Sequence, residues 1–338
     1  MDTVQKSSKA PTPGSPPGSP QGLRPLLDGV GAVLEGQSDT IELAVACLIA
    51  GGHLLLEDVP GTGKTTLAKA LAMASGLDFS RVQMTADLLP ADVTGARYPV
   101  LESGPGTPRF RFMPGPLFSQ VVLADELNRT PPRTQSALLE AMSEGHVTVE
   151  GEQHDLPTPF FVVATQNPIE FAGTFPLPES QLDRFMMRLI PGYPDRAAER
   201  RMLQSRRDRT PLAEVAACTD AESILAARAA VDEVHVADPI EEYLLDIVAS
   251  TRTSPDFVLG ASPRGALDLD RAARALAVLD GRDHVVPEDV RRLAIPVLAH
   301  RIVLHDATHD GTDTRHALAA LVDTIPAPQL GPDGTLRQ

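Results

Sequence analysis

His53-Leu54-Leu55-Leu56-Glu57-Asp58-Val59-Pro60-Gly61-Thr62-Gly63-Lys64-Thr65-Thr66 is the stretch on which the fold turns. Its short apolar run, bounded by Gly51-Gly52 and by turn residues, suits a buried parallel strand. Two glycines, a lysine and two threonines follow, at the opening of a helical pattern over 65–75. Strand, loop and helix in that order are the context of a phosphate-binding loop. Gly61 and Gly63 let backbone N–H groups turn inward, and the helix amino terminus adds its positive dipole end. Asp58, Val59, Pro60, Gly61, Thr62, Gly63, Lys64, Thr65 and Thr66 are therefore read as a cradle for ATP. Lys64 reaches the β- and γ-phosphates, and the Thr65 hydroxyl is a ligand for Mg²⁺. Asp58 stands where the general pattern has its first glycine. The competing reading is a Gly-rich turn with an incidental lysine.

Working outward, further strands are expected at 79–84, 120–125, 160–165 and 186–190, with helical patterns between them, notably 65–75 and 134–144. Strands alternating with helices indicate a parallel sheet wound through βαβ units. Hairpins are expected around 97–112 and 146–157. The run Val121-Val122-Leu123-Ala124-Asp125-Glu126 ends in two acids at the carboxyl edge of that sheet. There Asp125 is placed to hold Mg²⁺ through water, and Glu126 to polarise the attacking water. Asn167, ending another apolar strand, is a candidate for contacting the γ-phosphate or orienting the water. An Asn before Pro168 is equally a turn residue.

Upstream, two helical segments are expected at 23–35 and 38–49. Residues 1–22 are Pro-, Ser- and Gly-rich with little to bury, and read as a disordered tail. Beyond Pro194 the periodicity is helical only, over 195–206, 220–232, 238–253, 263–280, 287–302 and 314–324. The expected organisation is an α/β domain at 23–194, an all-helical domain at 195–326 and a loose tail at 327–338.

Composition narrows the function. Among 338 residues, Lys+Arg 30 against Asp+Glu 45 gives a net charge of −15. That argues against broad binding of a nucleic-acid backbone, and no Trp with three Tyr leaves few stacking platforms. Two cysteines, Cys47 and Cys218, exclude a disulfide framework or a four-cysteine zinc site. Both are expected reduced and buried in helices. No run approaches the ~20 apolar residues of a membrane span. The reading is a soluble, acidic, cytoplasmic protein.

Taken together, Pro60–Thr66, Asp125-Glu126-Leu127-Asn128-Arg129 and Asn167-Pro168 resemble the Walker A, Walker B and sensor 1 elements of an AAA+ ATPase. More narrowly, 56–65, 87–95, Gly115-Pro116-Leu117-Phe118, 131–135 and Pro178-Glu179-Ser180-Gln181-Leu182-Asp183-Arg184-Phe185 resemble the MoxR family, whose loop also accommodates Asp58. The match runs from about residue 23 to 326. It implies a parallel-sheet ATPase core followed by a helical lid. It also implies that Arg184 is the arginine finger inserted into a neighbour's site, and that Arg264, in Ser262-Pro263-Arg264-Gly265, is sensor 2. Read alone, Arg184 equally suits an intrachain salt bridge with Asp183 or Glu179. Arg264 would be an ordinary first-turn arginine, unfavourable against the helix dipole unless an anion is near.

The resemblance implies a hexameric ring that hydrolyses ATP and remodels or matures a client. A von Willebrand factor A-domain partner is expected, and sometimes metal insertion. ATP would sit in a cleft between core and lid, with Arg264 of the same chain reaching it. The alternatives are a nucleic-acid motor or clamp loader, and a nucleotide-gated scaffold. The intact Asp125-Glu126 pair speaks against the scaffold.

Overall fold

The leucine run Leu54-Leu55-Leu56 is wholly buried, as a strand covered on both faces requires. The computed structural model describes residues 20–57, 61–100, 109–167, 173–205, 211–305, 312–330 and 336–337. Asp58, Val59, Pro60, Pro168 and the segment 1–19 lie outside the described residues.

The chain runs α1 (Pro20–Gly31), α2 (Ser38–Ile49), β1 (Leu54–Glu57), α3 (Lys64–Ala74), β2 (Phe79–Gln83) and α4 (Pro90–Thr94). Next come β3 (Gly95–Val100), β4 (Arg109–Pro114), β5 (Val121–Asp125), α5 (Pro132–Glu144), β6 (His146–Val149) and β7 (Glu152–Asp155). Then β8 (Phe161–Gln166), α6 (Glu179–Leu182) and β9 (Met187–Leu189) complete the α/β part. The helical part comprises α7 (Arg196–Ser205), α8 (Ala221–Glu233), α9 (Asp238–Thr253), α10 (Pro263–Asp280), α11 (Pro287–Leu298) and α12 (Thr312–Thr324).

β2, β5, β8, β1 and β9 form one sheet in that order, every pair parallel. Both expected hairpins are present, β3 with β4 and β6 with β7. Alternation along each strand divides the sheet's side chains between two cores. Leu54 and Leu56 join α1, α2 and α3, whereas Leu55 joins Leu138 and Leu139 of α5. The first core continues into the helical part through Leu269, Leu276 and Leu293. There α10 packs on α2 and α1, and α11 on β9.

Four details depart from the sequence reading. The first helix ends at Gly31 rather than 35, giving way to turns through Gly36, whose φ is +78°. The helical part contains a small ribbon, β10 (Phe257–Leu259) paired antiparallel with β11 (Val303–Leu304), whose strands are too short to interrupt helical periodicity. Cys218 is exposed, not helical and buried. It lies in the connector before α8, whose amino end is capped by Asp220 accepting from the Ser223 N–H at 2.8 Å. Past α12, two-residue strands β12 (Gln329–Leu330) and β13 (Leu336–Arg337) pair antiparallel within the stretch read as a loose tail.

At the amino end of β1, buried His53 accepts the Val162 N–H on Nδ1 at 3.0 Å and donates from Nε2 to the Met142 carbonyl at 3.1 Å. Burial, with smaller contributions from Arg228 and Arg264, pushes its pKa down to about 4. The folded state thus refuses a proton that the unfolded chain takes up near pH 6.5. Stability is complete above that pH and falls as the pH drops towards 4. Between pH 7 and pH 5 the loss from His53 is about 2 kcal/mol. Urea unfolding at both pH values, for the wild type and His53→Gln, is expected to show a smaller pH difference in the variant. Equal differences would place the titration elsewhere.

Candidate functional site

The loop after β1 is built by backbone conformation. Gly61 and Gly63 have φ of +90° and +93°, where an L side chain is strained. A Cβ on Gly63 would also meet Leu34 Cδ2 at 2.9 Å. α3 starts at Lys64 with no side-chain cap, so its first N–H groups face outward at the loop, as anion binding needs. Gln37, just before α2, donates from Nε2 to the Thr62 carbonyl at 3.0 Å and pins the loop from outside.

β8 lies between β1 and β5. Buried Asn167, directly after β8, therefore sits between the loop that follows Glu57 and the acids that end β5. Asp125 is buried at that end. Its Oδ1 accepts from the Thr165 hydroxyl at 2.7 Å. Its Oδ2 accepts from Arg81 Nη2 at 2.6 Å and Nε at 3.1 Å. Glu126 adopts φ +61°, a left-handed conformation costing a non-glycine residue about 1 kcal/mol. The Thr165 hydroxyl accepts the Glu126 N–H at 2.8 Å and holds the turn. The Glu126 carboxylate accepts from Gln83 Nε2 at 2.7 Å and lies 3.3 Å from Arg129 Nε.

Among the described residues at this edge, the Thr65 hydroxyl on the first turn of α3 and the Asp125 carboxylate are hard oxygen donors. That is what Mg²⁺ takes from a protein when phosphates and water supply the rest. The residues present fit that ion.

A profile of the ATPase family associated with various cellular activities (AAA) matches residues 53–187, and an AAA lid domain profile matches 249–321. Chaperone MoxR1 of Mycobacterium tuberculosis is 37% identical, over 96% of this chain and 89% of its own. The uncharacterized protein YeaC of Bacillus subtilis is 44% identical, over 90% of this chain and 96% of its own. A crystal structure from Cytophaga hutchinsonii, of a protein assigned as an ATPase, superposes with a TM-score of 0.82 at 35% identity. It covers 92% of this chain and 96% of that one. This chain belongs to the MoxR family of AAA+ ATPases.

In this MoxR-family chain the two arginines singled out from sequence lie away from the loop. The parallel register pairs Leu54 with Met187, so Arg184 precedes β9 at the amino edge of the sheet. The Met186 N–H donates to the His53 carbonyl there at 2.9 Å. Arg184 donates from Nη1 to the Leu139 carbonyl at 2.7 Å and to Ser143 Oγ at 3.0 Å. Among the described residues it forms no ion pair with Asp183 or Glu179, and the Asp183 carboxylate is held by Ser262 and Arg301 instead.

Exposed Arg264 shares that edge. Ser262, the cap of its helix α10, donates to Asp183 Oδ1 at 3.0 Å, and Arg271 further along α10 reaches the Ala50 carbonyl. The nucleotide loop leaves the opposite end of β1, about 13 Å away at the rise of a four-residue strand. Within one chain the structure thus gathers Lys64, Thr65, Asp125, Glu126 and Asn167 at the carboxyl edge, and Arg184 with Arg264 at the amino edge. An approach of Arg264 to its own chain's loop, as the sequence reading had it, does not fit this docking of the lid.

Sequence reasoning missed Gln37, Arg81, Gln83 and Thr165. The available signal was the alternation of Arg81 and Gln83 on β2, which sets both on one face, and the parallel register opposes Gln83 to Asp125.

Proposed function

We propose that this chain is a ring-forming ATPase of chaperone type whose active sites are completed between subunits. The observation that carries this reading is the separation of the two arginines from the loop by the length of β1. A heterologous contact sets one subunit's amino edge against the next subunit's carboxyl edge, and such contacts close into rings. Lys64 then meets the β- and γ-phosphates, and Glu126 takes a proton from the attacking water. Asn167 orients that water, while a neighbour's Arg184 and Arg264 meet charge developing on the phosphate. Thr65 and Asp125 would hold Mg²⁺, Asp125 through water; when bound, the ion neutralises phosphate charge. Before Glu126 can act it has to leave Gln83 and Arg129, and Asp125 has to leave Arg81.

Within this reading hydrolysis moves the lid against the core and remodels a client protein. The relative named Chaperone MoxR1 supports that role. The ring would be hexameric and cytoplasmic, with a von Willebrand factor A-domain partner and metal insertion as its finer expectations from the family resemblance. Among the described residues no helix is long and apolar enough to cross a membrane. Tyr98, Phe110 and Met113 on the β3–β4 hairpin are each more than half exposed, and this is the surface we assign to the client.

The test is the dependence of specific ATPase activity on protein concentration, with assembly mass followed in parallel. Activity per subunit is expected to rise as rings assemble. Activity that stays constant through dissociation to monomers would overturn a site shared between subunits.

A further inference from the structure

One buried arginine, outside every motif discussed above, joins the two segments that carry Arg184 and Arg264. Arg301 follows α11, and its side chain is 1% exposed. Its Nη2 donates to the Phe185 carbonyl at 2.8 Å and to the Asp183 carbonyl at 3.3 Å. The same nitrogen pairs with Asp268 Oδ2 at 2.5 Å, and Nε lies 3.2 Å from Asp183 Oδ1. The neighbouring His300, also buried, donates from Nε2 to the same Phe185 carbonyl at 2.9 Å. Burial and the Arg301 charge hold its pKa well below the ordinary value, so it stays a neutral donor.

Asp183 and Phe185 flank Arg184. Ser262 and Asp268 lie on the first turns of α10, either side of Arg264. Gly265 makes the approach possible, since a Cβ there would meet Arg301 Nη1 at 3.2 Å and Leu298 at 3.3 Å. A guanidinium placed this way fixes both turns with charge-assisted bonds in a dry site, where such bonds are directional and costly to break.

We propose that Arg301, bonded to the Phe185 carbonyl and Asp268 and ion-paired with the Asp183 carboxylate, is a positioning latch that makes Arg184 and Arg264 one rigid unit presented to the neighbouring subunit. Lid movement against the core then acts through the latch on the core segment that carries Arg184, which links the state of one site to catalysis in the next. This inference rests on the reading that Arg184 acts between subunits.

Asp183→Asn removes the charge but keeps an acceptor for Ser262. Arg301→Lys keeps a cation in the buried site, where Arg301→Ala would strand two carboxylates. Both variants are expected to bind ATP as the wild type does and to hydrolyse it about tenfold more slowly, the size of effect seen along coupling networks. The deciding measurement uses mixed rings, co-expressed with two tags and purified on both. Asp183→Asn mixed with Glu126→Gln is expected to recover activity above the sum of the two alone. The Glu126→Gln subunit brings an intact latch and Arg184 to its neighbour's intact Glu126. Asp183→Asn mixed with Arg184→Ala is expected to recover none, because every donor edge is defective.

A purely structural role predicts lost ATP affinity and no recovery in either mixture, and that result would overturn the latch. Arg184→Ala mixed with Glu126→Gln separates the two levels. Recovery there without recovery for Asp183→Asn defeats the latch alone. No recovery in that control defeats the shared site, and the latch with it.

Discussion

Glu126→Gln is expected to leave ATP binding intact while reducing hydrolysis by a factor on the order of 10³, within the range for removal of a general base. The variant should fold normally. A glutamine at 126 keeps an oxygen to accept from Gln83 Nε2, and the turn itself rests on the backbone bond from Glu126 N–H to the Thr165 hydroxyl. Only the capacity to take a proton disappears. Lys64→Ala is expected to fail one step earlier, losing nucleotide affinity because the cation at the first position of α3 is gone. Calorimetric ATP binding and phosphate release, measured on both variants, distinguish the two roles. Wild-type hydrolysis by Glu126→Gln would place the base elsewhere at this edge. Unaltered affinity in Lys64→Ala would remove the loop from the site.

The carboxyl edge was legible in the sequence because strand, loop and helix are local there. The run 54–56 is apolar, the glycines follow soon after, and any parallel sheet brings the carboxyl ends of β1, β5 and β8 to one edge, although the order that inserts β8 between β1 and β5 is not in the local sequence. Each acid or amide at a strand end had one place to go. The amino edge was not legible. The position of Arg264 depends on where α10 docks, and that is decided by packing on α2 and by a guanidinium 37 residues further along the chain, Arg301. Nothing in Ser262-Pro263-Arg264-Gly265 itself distinguishes a helix turn facing its own nucleotide from one facing a neighbour. Arg81 and Gln83 escaped for a related reason. On an edge strand they read as solvated residues, and only the register with β5 reveals that they engage the two acids.

Arg184→Ala is expected to bind ATP nearly as the wild type does and to hydrolyse it more slowly by a factor on the order of 10³, the effect typical of a missing arginine finger. Folding should survive. Arg184 bonds the Leu139 carbonyl and Ser143 near the end of α5, but that helix is closed independently by Gly145 at φ +69°, whose N–H donates to the Ala141 carbonyl at 3.0 Å. The informative comparison is a mixture. Arg184→Ala subunits retain Glu126, and Glu126→Gln subunits retain Arg184, so each type is inactive in a ring of its own kind. In a mixed ring some interfaces set an intact Arg184 against an intact Glu126, and activity should reappear there. If subunits distribute at random and each site needs one correct interface, equal mixing makes about a quarter of the interfaces competent, by the symmetry of a heterologous ring. An Arg184 that merely steadies its own α5 predicts no recovery at any ratio. Among the described residues its hydrogen-bond partners are the Leu139 carbonyl and Ser143 rather than an acid, so its charge is available to a phosphate across the interface.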